Sequence, residues 1–138
     1  MNILIDTHIA VWAATDDPRL SKKARDLLLN PGNNIYFSSV SAMEISIKRK
    51  SKNKKKADEL HVTTEEFVND CRESGYIELP LNSSHIVAEE ALKWGGDGDE
   101  HRDPFDRLLL AQAKVEKYSF MTHDHMIPMF DEKGIIKV

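Results

Sequence analysis

The sequence predicts an α/β domain, a three-layer α/β/α arrangement around a mainly parallel sheet of four to five strands. Three observations point there. Short apolar runs alternate with longer segments whose apolar residues recur at helical spacing, the pattern of strand–helix–strand units. The first run, Ile3-Leu4-Ile5, has no polar interruption, as a strand covered on both faces requires. The 138 residues, 41% hydrophobic and 30% charged, suffice for one domain with a real core and are too few for two. Residues 1–138 are therefore read as one domain.

Asn2 to Asp6 is the first strand, ended by an acid. A helix follows through Ile9, Val11 and Trp12 until Asp16-Asp17-Pro18 breaks it. Ser21 caps a second helix with Ala24, Leu27 and Leu28 on one face, and the stretch from Asn30 to Asn34 turns the chain. Ile35-Tyr36-Phe37 is the second strand. Ser41-Ala42-Met43-Glu44 has the form of a capping box and predicts a helix start there, continued by Ile45 and Ile47. Thr63 to Glu66 opens another helix, with Phe67, Val68 and Cys71 at apolar positions and Gly75 as its stop. Tyr76 to Pro80 is a third strand, Ser84 to Trp94 reads helical, and Gly95 to Asp99 is a polar loop. Asp103 as N-cap and Pro104 in the first turn start a helix that runs to about Lys117. Tyr118 to Thr122 is the fourth strand and Ile135 to Val138 a fifth.

Composition removes several classes of function. A lone cysteine, Cys71, excludes an intrachain disulfide framework and a Cys-rich zinc site, fits a reducing compartment, and is read as core packing. No run of 18 apolar residues spans a membrane, and no basic stretch precedes an apolar one at the N-terminus as in a signal peptide, so a cytoplasmic location is expected. There is no G-x-x-x-x-G-K-[ST] and no G-x-G-x-x-G loop, and Gly95-Gly96-Asp97-Gly98-Asp99 lacks the ligand spacing of a calcium loop. The histidines form no H-E-x-x-H; His123 and His125 flank Asp124 as surface or supporting groups, and Trp12 and Trp94 read as core. The net charge of −4 conceals a run at 48–56 with seven basic residues and no acidic one. That run is either a solvated helix end or a contact for a phosphate backbone.

The acids carry the chemistry. Asp6 ends strand one, Glu44 is placed in the first turn of the helix after strand two, Asp106 opens the helix after the polar loop, and Asp124 follows strand four. In a parallel sheet these positions share one edge, where open α/β sheets bind ligands. Clustered carboxylates repel one another unless a cation compensates, and all-oxygen donors favour a hard ion such as Mg²⁺ or Mn²⁺. Each acid also has a local reading. Asp6 caps a helix, Glu44 completes the Ser41 box, and Asp103 and Asp106 sit where the helix dipole favours acids.

Ile-Asp-Thr-His at 5–8, Ser-x-x-Glu at 41–44, Asp-Pro-Phe-Asp-Arg-Leu-Leu-Leu-Ala-Gln-Ala at 103–113 and Thr-His-Asp at 122–124 together resemble the PIN-domain nucleases, and most nearly the VapC-type toxins of toxin–antitoxin modules. The resemblance runs the length of the chain. It implies a PIN-like fold and a metal-dependent ribonuclease in which Asp6, Glu44, Asp106 and Asp124 form an acidic quartet. Asp103 and Thr122 are auxiliary groups. It further implies RNA as substrate, a small cognate antitoxin whose tail blocks the cleft, and a homodimer. Asp6 and Asp106 are assigned as direct ligands of Mg²⁺ or Mn²⁺, with Glu44 and Asp124 holding a second ion or orienting its waters. Lys48, Arg49, Lys50, Lys52 and Arg107 are candidate RNA contacts. Two rivals come from other classes, a non-catalytic binding module on the same fold and an Asp6 phospho-acceptor domain. The second lacks both the D-x-D of a dehalogenase-like phosphatase, since Asp6-Thr7-His8 stands there, and the acidic pair of a receiver domain.

Overall fold

The computed structural model describes residues 1–53, 55 and 60–138. In chain order the elements are β1 (Asn2–Ile5), α1 (Thr7–Ala14), α2 (Lys22–Leu29), β2 (Asn34–Ser38), α3 (Ser39–Arg49), α4 (Thr64–Glu73), β3 (Ile77–Leu79), α5 (Ser83–Glu90), α6 (Pro104–Glu116), β4 (Ser119–Thr122), a 3₁₀ turn (Ile127–Met129) and β5 (Ile135–Lys137). The five strands form one sheet in the order β3-β2-β1-β4-β5, and every pairing is parallel. This is the predicted α/β class, with the terminal fifth strand present.

The central strands are covered on both faces because successive side chains point to opposite sides. Ile3, Ile5, Ile35, Phe37 and Met121 enter one core with Ile9 and Val11 of α1, Ala24 of α2, and Phe67 and Cys71 of α4. Leu4 and Phe120 enter the other, with Leu109, Leu110 and Ala113 of α6. Phe37 and Phe67 meet edge to face at 6.0 Å. Helix α3 straddles the layers, giving Val40 to one core and Ile45 to the other.

Local signals set most boundaries. Ser21 accepts from the Ala24 N–H and Thr63 from the Glu66 N–H, capping α2 and α4. Gly75 takes φ +82° just past α4, a left-handed turn that closes the helix. Asp103 caps α6 with Pro104 in its first turn, and Lys117 ends it in the left-handed region at φ 59°.

Two expectations are corrected. Helix α3 starts at Ser39 because Ser38, the last residue of β2, is its N-cap and accepts from the Val40 N–H. Strand passes into helix without a loop, so Ser41 and Glu44 form no capping box and Glu44 stands in the second turn. Helix α5 stops at Glu90, four residues before Trp94. Trp94 instead makes an isolated antiparallel bridge with Phe130, their rings edge to face at 5.0 Å.

The chain moves outward from β1 to β2 and β3, then returns to the other side of β1 for β4 and β5. The reversal lies at the C-terminal ends of β1 and β4, where parallel sheets leave a crevice. No helix among the described residues is long and apolar enough to cross a membrane.

Candidate active site

Asp6 occupies that reversal point. It follows β1 directly and is the N-cap of α1, with Oδ1 accepting from the Ile9 N–H at 2.8 Å. Its Oδ2 accepts from the Thr122 hydroxyl at 2.6 Å and from the His123 N–H at 3.1 Å, so the end of β4 holds the carboxylate across 116 residues of sequence. Thr122 also accepts from the Asp124 N–H at 3.0 Å, tying the positions of two acids to one hydroxyl. Asp6 is only 5% exposed, and burial raises its pKa against the lowering effect of those three hydrogen bonds and of His8. The capping role and the cleft role belong to the same side chain.

Glu44 reaches the cleft from α3. One oxygen, Oε1, lies 2.7 Å from the Thr7 hydroxyl, which is also 2.9 Å from Ser41 Oγ. The other, Oε2, meets Lys48 Nζ at 2.7 Å, one turn further along the helix. Thr7, Ser41 and Glu44 are all buried, so this is a fixed network and not a solvated ion pair.

Asp106 sits in the first turn of α6, where Asp103 Oδ1 accepts from its N–H at 3.1 Å. Its Oδ2 lies 2.9 Å from His101 Nε2. Burial first, then the charges of Asp103, Asp124 and Glu44, push the Asp106 carboxyl up to about 6, while the His101 hydrogen bond pulls it down. Asp124 spends Oδ1 on the N–H groups of Met126 and Ile127 at 2.6 and 3.2 Å, so the turn after β4 aims its carboxylate. Ligand atoms of His101, Asp106 and Asp124 all lie within 4.8 Å of one another.

A cleft of about 460 Å³ collects these groups; Asp6, Glu44, Asp103, Asp106 and Asp124 all line it. Thr122 stands behind it, fully buried. The close trio pairs Asp106 with Asp124 and His101, whereas the sequence reading pairs Asp106 with Asp6. His101 was not among the predicted residues; its only sequence signal is a histidine five positions before Asp106 in an unpatterned loop. Thr7 is a second such residue, and a hydroxyl beside a strand-end acid is its sequence cue. Trp12 is buried as expected, but its ring also lines the cleft, 4.9 Å from His123 and 5.6 Å from His8, with the Arg19 guanidinium over it at 5.1 Å.

The basic residues divide. Lys48 faces Glu44, and Arg49 donates to the Val62 carbonyl at 3.0 Å. Lys50, Lys52 and Lys55 are exposed, and Lys54 and Lys56 lie outside the described residues. Arg107 does not join the cleft. Its side chain is 13% exposed, and the guanidinium lies 2.5 Å from Glu89 and 2.6 Å from Glu100 and donates to the His101 carbonyl at 3.1 Å. It fastens the loop before α6 to α5, a contact that no local pattern encodes. Cys71 is buried and its thiol is pushed up to about 12, the behaviour of a packing residue.

The PIN-domain family model matches residues 3–133. Among solved structures, the chain is similar to one in VapBC2 from Rickettsia felis, a complex solved bound to a DNA fragment from its promoter, at TM-score 0.62 and 17% identity over 99% of this chain and 98% of that one. It is also similar to one in FitAcB from Neisseria gonorrhoeae, at TM-score 0.54 and 19% identity over 91% and 89% of the two chains. No curated protein sequence matches it. A family match over almost the whole length, on a parallel sheet whose C-terminal edge carries the expected acids, has one conclusion: this chain belongs to the PIN-domain family.

Proposed function

We propose that this protein is a metal-dependent endoribonuclease that hydrolyses RNA phosphodiester bonds, and that it is the toxin of a toxin–antitoxin pair. The observation that carries this reading is the convergence of Asp6, Glu44, Asp106 and Asp124 on one cleft at the reversal point of a PIN-domain sheet. VapBC2 and FitAcB, two of the similar structures, support the pairing with an antitoxin. The homodimer belongs to the same reading.

The donor set fits a divalent ion. Carboxylate oxygens crowd near one another, and burial first, then the charges of Asp103, Asp124 and Glu44, raise the Asp106 pKa, a density of negative charge that a divalent cation would offset. Asp106 and Asp124 would hold the ion most directly, with Asp6 and Glu44 completing its surroundings. Such an ion supplies neutralisation of phosphoryl charge and acidification of a water. The chain does the rest. Thr122 and the Ile9 and His123 N–H groups fix Asp6, Thr7 and Lys48 fix the two oxygens of Glu44, and buried walls limit reorganisation when substrate arrives. Lys50 and Lys52, exposed just beyond α3, would follow an RNA backbone outward from the cleft.

Purified protein should cut structured RNA with Mg²⁺ or Mn²⁺ and not with EDTA, and Asp6→Asn should abolish the cutting. Folded, partner-free protein that cuts no RNA with either ion would overturn the general ribonuclease reading.

A further inference from the structure

We infer that His101 is a metal ligand of this site and that it makes the site a mixed nitrogen–oxygen centre, one that prefers a divalent transition ion, Mn²⁺ of the two candidates, over Mg²⁺. The inference rests on reading the cleft as a metal site and goes further by assigning a ligand outside the acidic quartet.

Geometry places the imidazole among the donors. Nε2 is 2.9 Å from Asp106 Oδ2, and both lie within 4.8 Å of an Asp124 oxygen. Two neighbouring ligands of an octahedral ion with bonds of about 2.1 Å are separated by about 3.0 Å, so the His101–Asp106 pair stands at ligand spacing with little rearrangement needed. The third corner comes from Asp124, whose carboxylate is oriented by two backbone N–H groups that donate to Oδ1. One imidazole with two carboxylates is a donor set suited to first-row transition ions, whereas Mg²⁺ keeps oxygen ligands and its own waters.

The fold also holds His101 in place. Its carbonyl accepts from Arg107 Nη1 at 3.1 Å, and the same guanidinium is paired with Glu100 beside it and with Glu89 on α5. The Phe130 ring flanks the imidazole at 6.5 Å, and Arg107 stacks over that ring at 5.5 Å. Arg107 is thus a positioning residue for a ligand on an otherwise irregular loop. Fastening a loop histidine through its backbone and its ring has a clear use if the nitrogen must meet an ion at a set place.

The test is metal binding without RNA. Calorimetric titration of the metal-free full chain with Mn²⁺ and with Mg²⁺ should show Mn²⁺ binding tighter by about tenfold or more. His101→Gln should weaken Mn²⁺ by about tenfold while moving Mg²⁺ by less than about threefold. Electron spin-echo spectra of the Mn²⁺-loaded wild type should carry nitrogen modulation that His101→Gln removes, a readout independent of the variant's stability. Absence of nitrogen modulation in the wild type overturns the assignment, and so does a Mn²⁺-to-Mg²⁺ ratio unchanged in the variant. In that case His101 only hydrogen-bonds Asp106. Nitrogen-ligated Mn²⁺ on a protein that cuts no RNA would instead defeat the proposed activity and leave the ligand assignment standing.

Discussion

Replacing Asp106 by asparagine should make the metal-free protein more stable while removing its activity. Asparagine keeps nearly the same volume and an oxygen to face His101, so the change removes mainly the charge. In the folded chain that carboxyl titrates at about 6 against an ordinary 3.8, because it is buried near Asp103, Asp124 and Glu44. A raised carboxyl pKa means that the folded state holds a proton which the unfolded state has released, so folding stability falls as pH rises from 3.8 through about 6 and then levels off. At pH 8 the full difference applies, about 3 kcal/mol at 1.36 kcal/mol per pH unit, and at pH 4 it shrinks to under about 1 kcal/mol. Urea unfolding of both proteins in EDTA at pH 8 and pH 4 measures the gain, with titrating groups remote from Asp106 cancelling in the comparison. The reasoning fails if the variant is no more stable than the parent at pH 8, or if its gain is the same at both pH values. Added Mn²⁺ should reverse the order, stabilising the parent and not the variant.

Thr122→Val removes the hydroxyl that donates to Asp6 and accepts from Asp124, and should cost about 1.5–3 kcal/mol by denaturant unfolding, the range for a hydrogen bond to a charged group. The same variant should lose more RNA cleavage than its stability loss explains; full activity in a folded variant would mean that Asp6 needs no such support. Changing Lys50, Lys52 and Lys55 to glutamine should weaken RNA binding and lower the slope of log affinity against log salt by about 2, near 0.7 per lost phosphate contact. An unchanged slope would leave these lysines as solvated surface. Cys71, with its thiol pushed up to about 12, should resist a thiol reagent at pH 8 until urea unfolds the chain, and rapid native-state labelling would contradict its burial.

Signals that act within about four residues were legible along the chain, because they are settled by the backbone groups they touch. Ser21 and Asp103 cap the helices that the sequence predicts they cap, the helix expected at Thr63 to Glu66 starts there, and the apolar runs form strands. The cleft-lining acids were legible for a different reason, since a parallel sheet puts strand ends and the starts of the following helices on one edge. The capping box at Ser41 misled because two hydroxyls compete for the role. Ser38 takes the cap at the very end of β2, which frees Ser41 and Glu44 to meet Thr7. What local pattern cannot encode is which strands become neighbours. Thr122 reaches Asp6 only because β4 lies against β1, and the folding of the irregular loop onto α5 and α6 brings His101 to Asp106 and turns Arg107 away from the cleft. Those contacts have no periodicity and no fixed spacing. They exist because burial leaves each carboxylate and guanidinium to find a partner among whatever the sheet order has placed beside it.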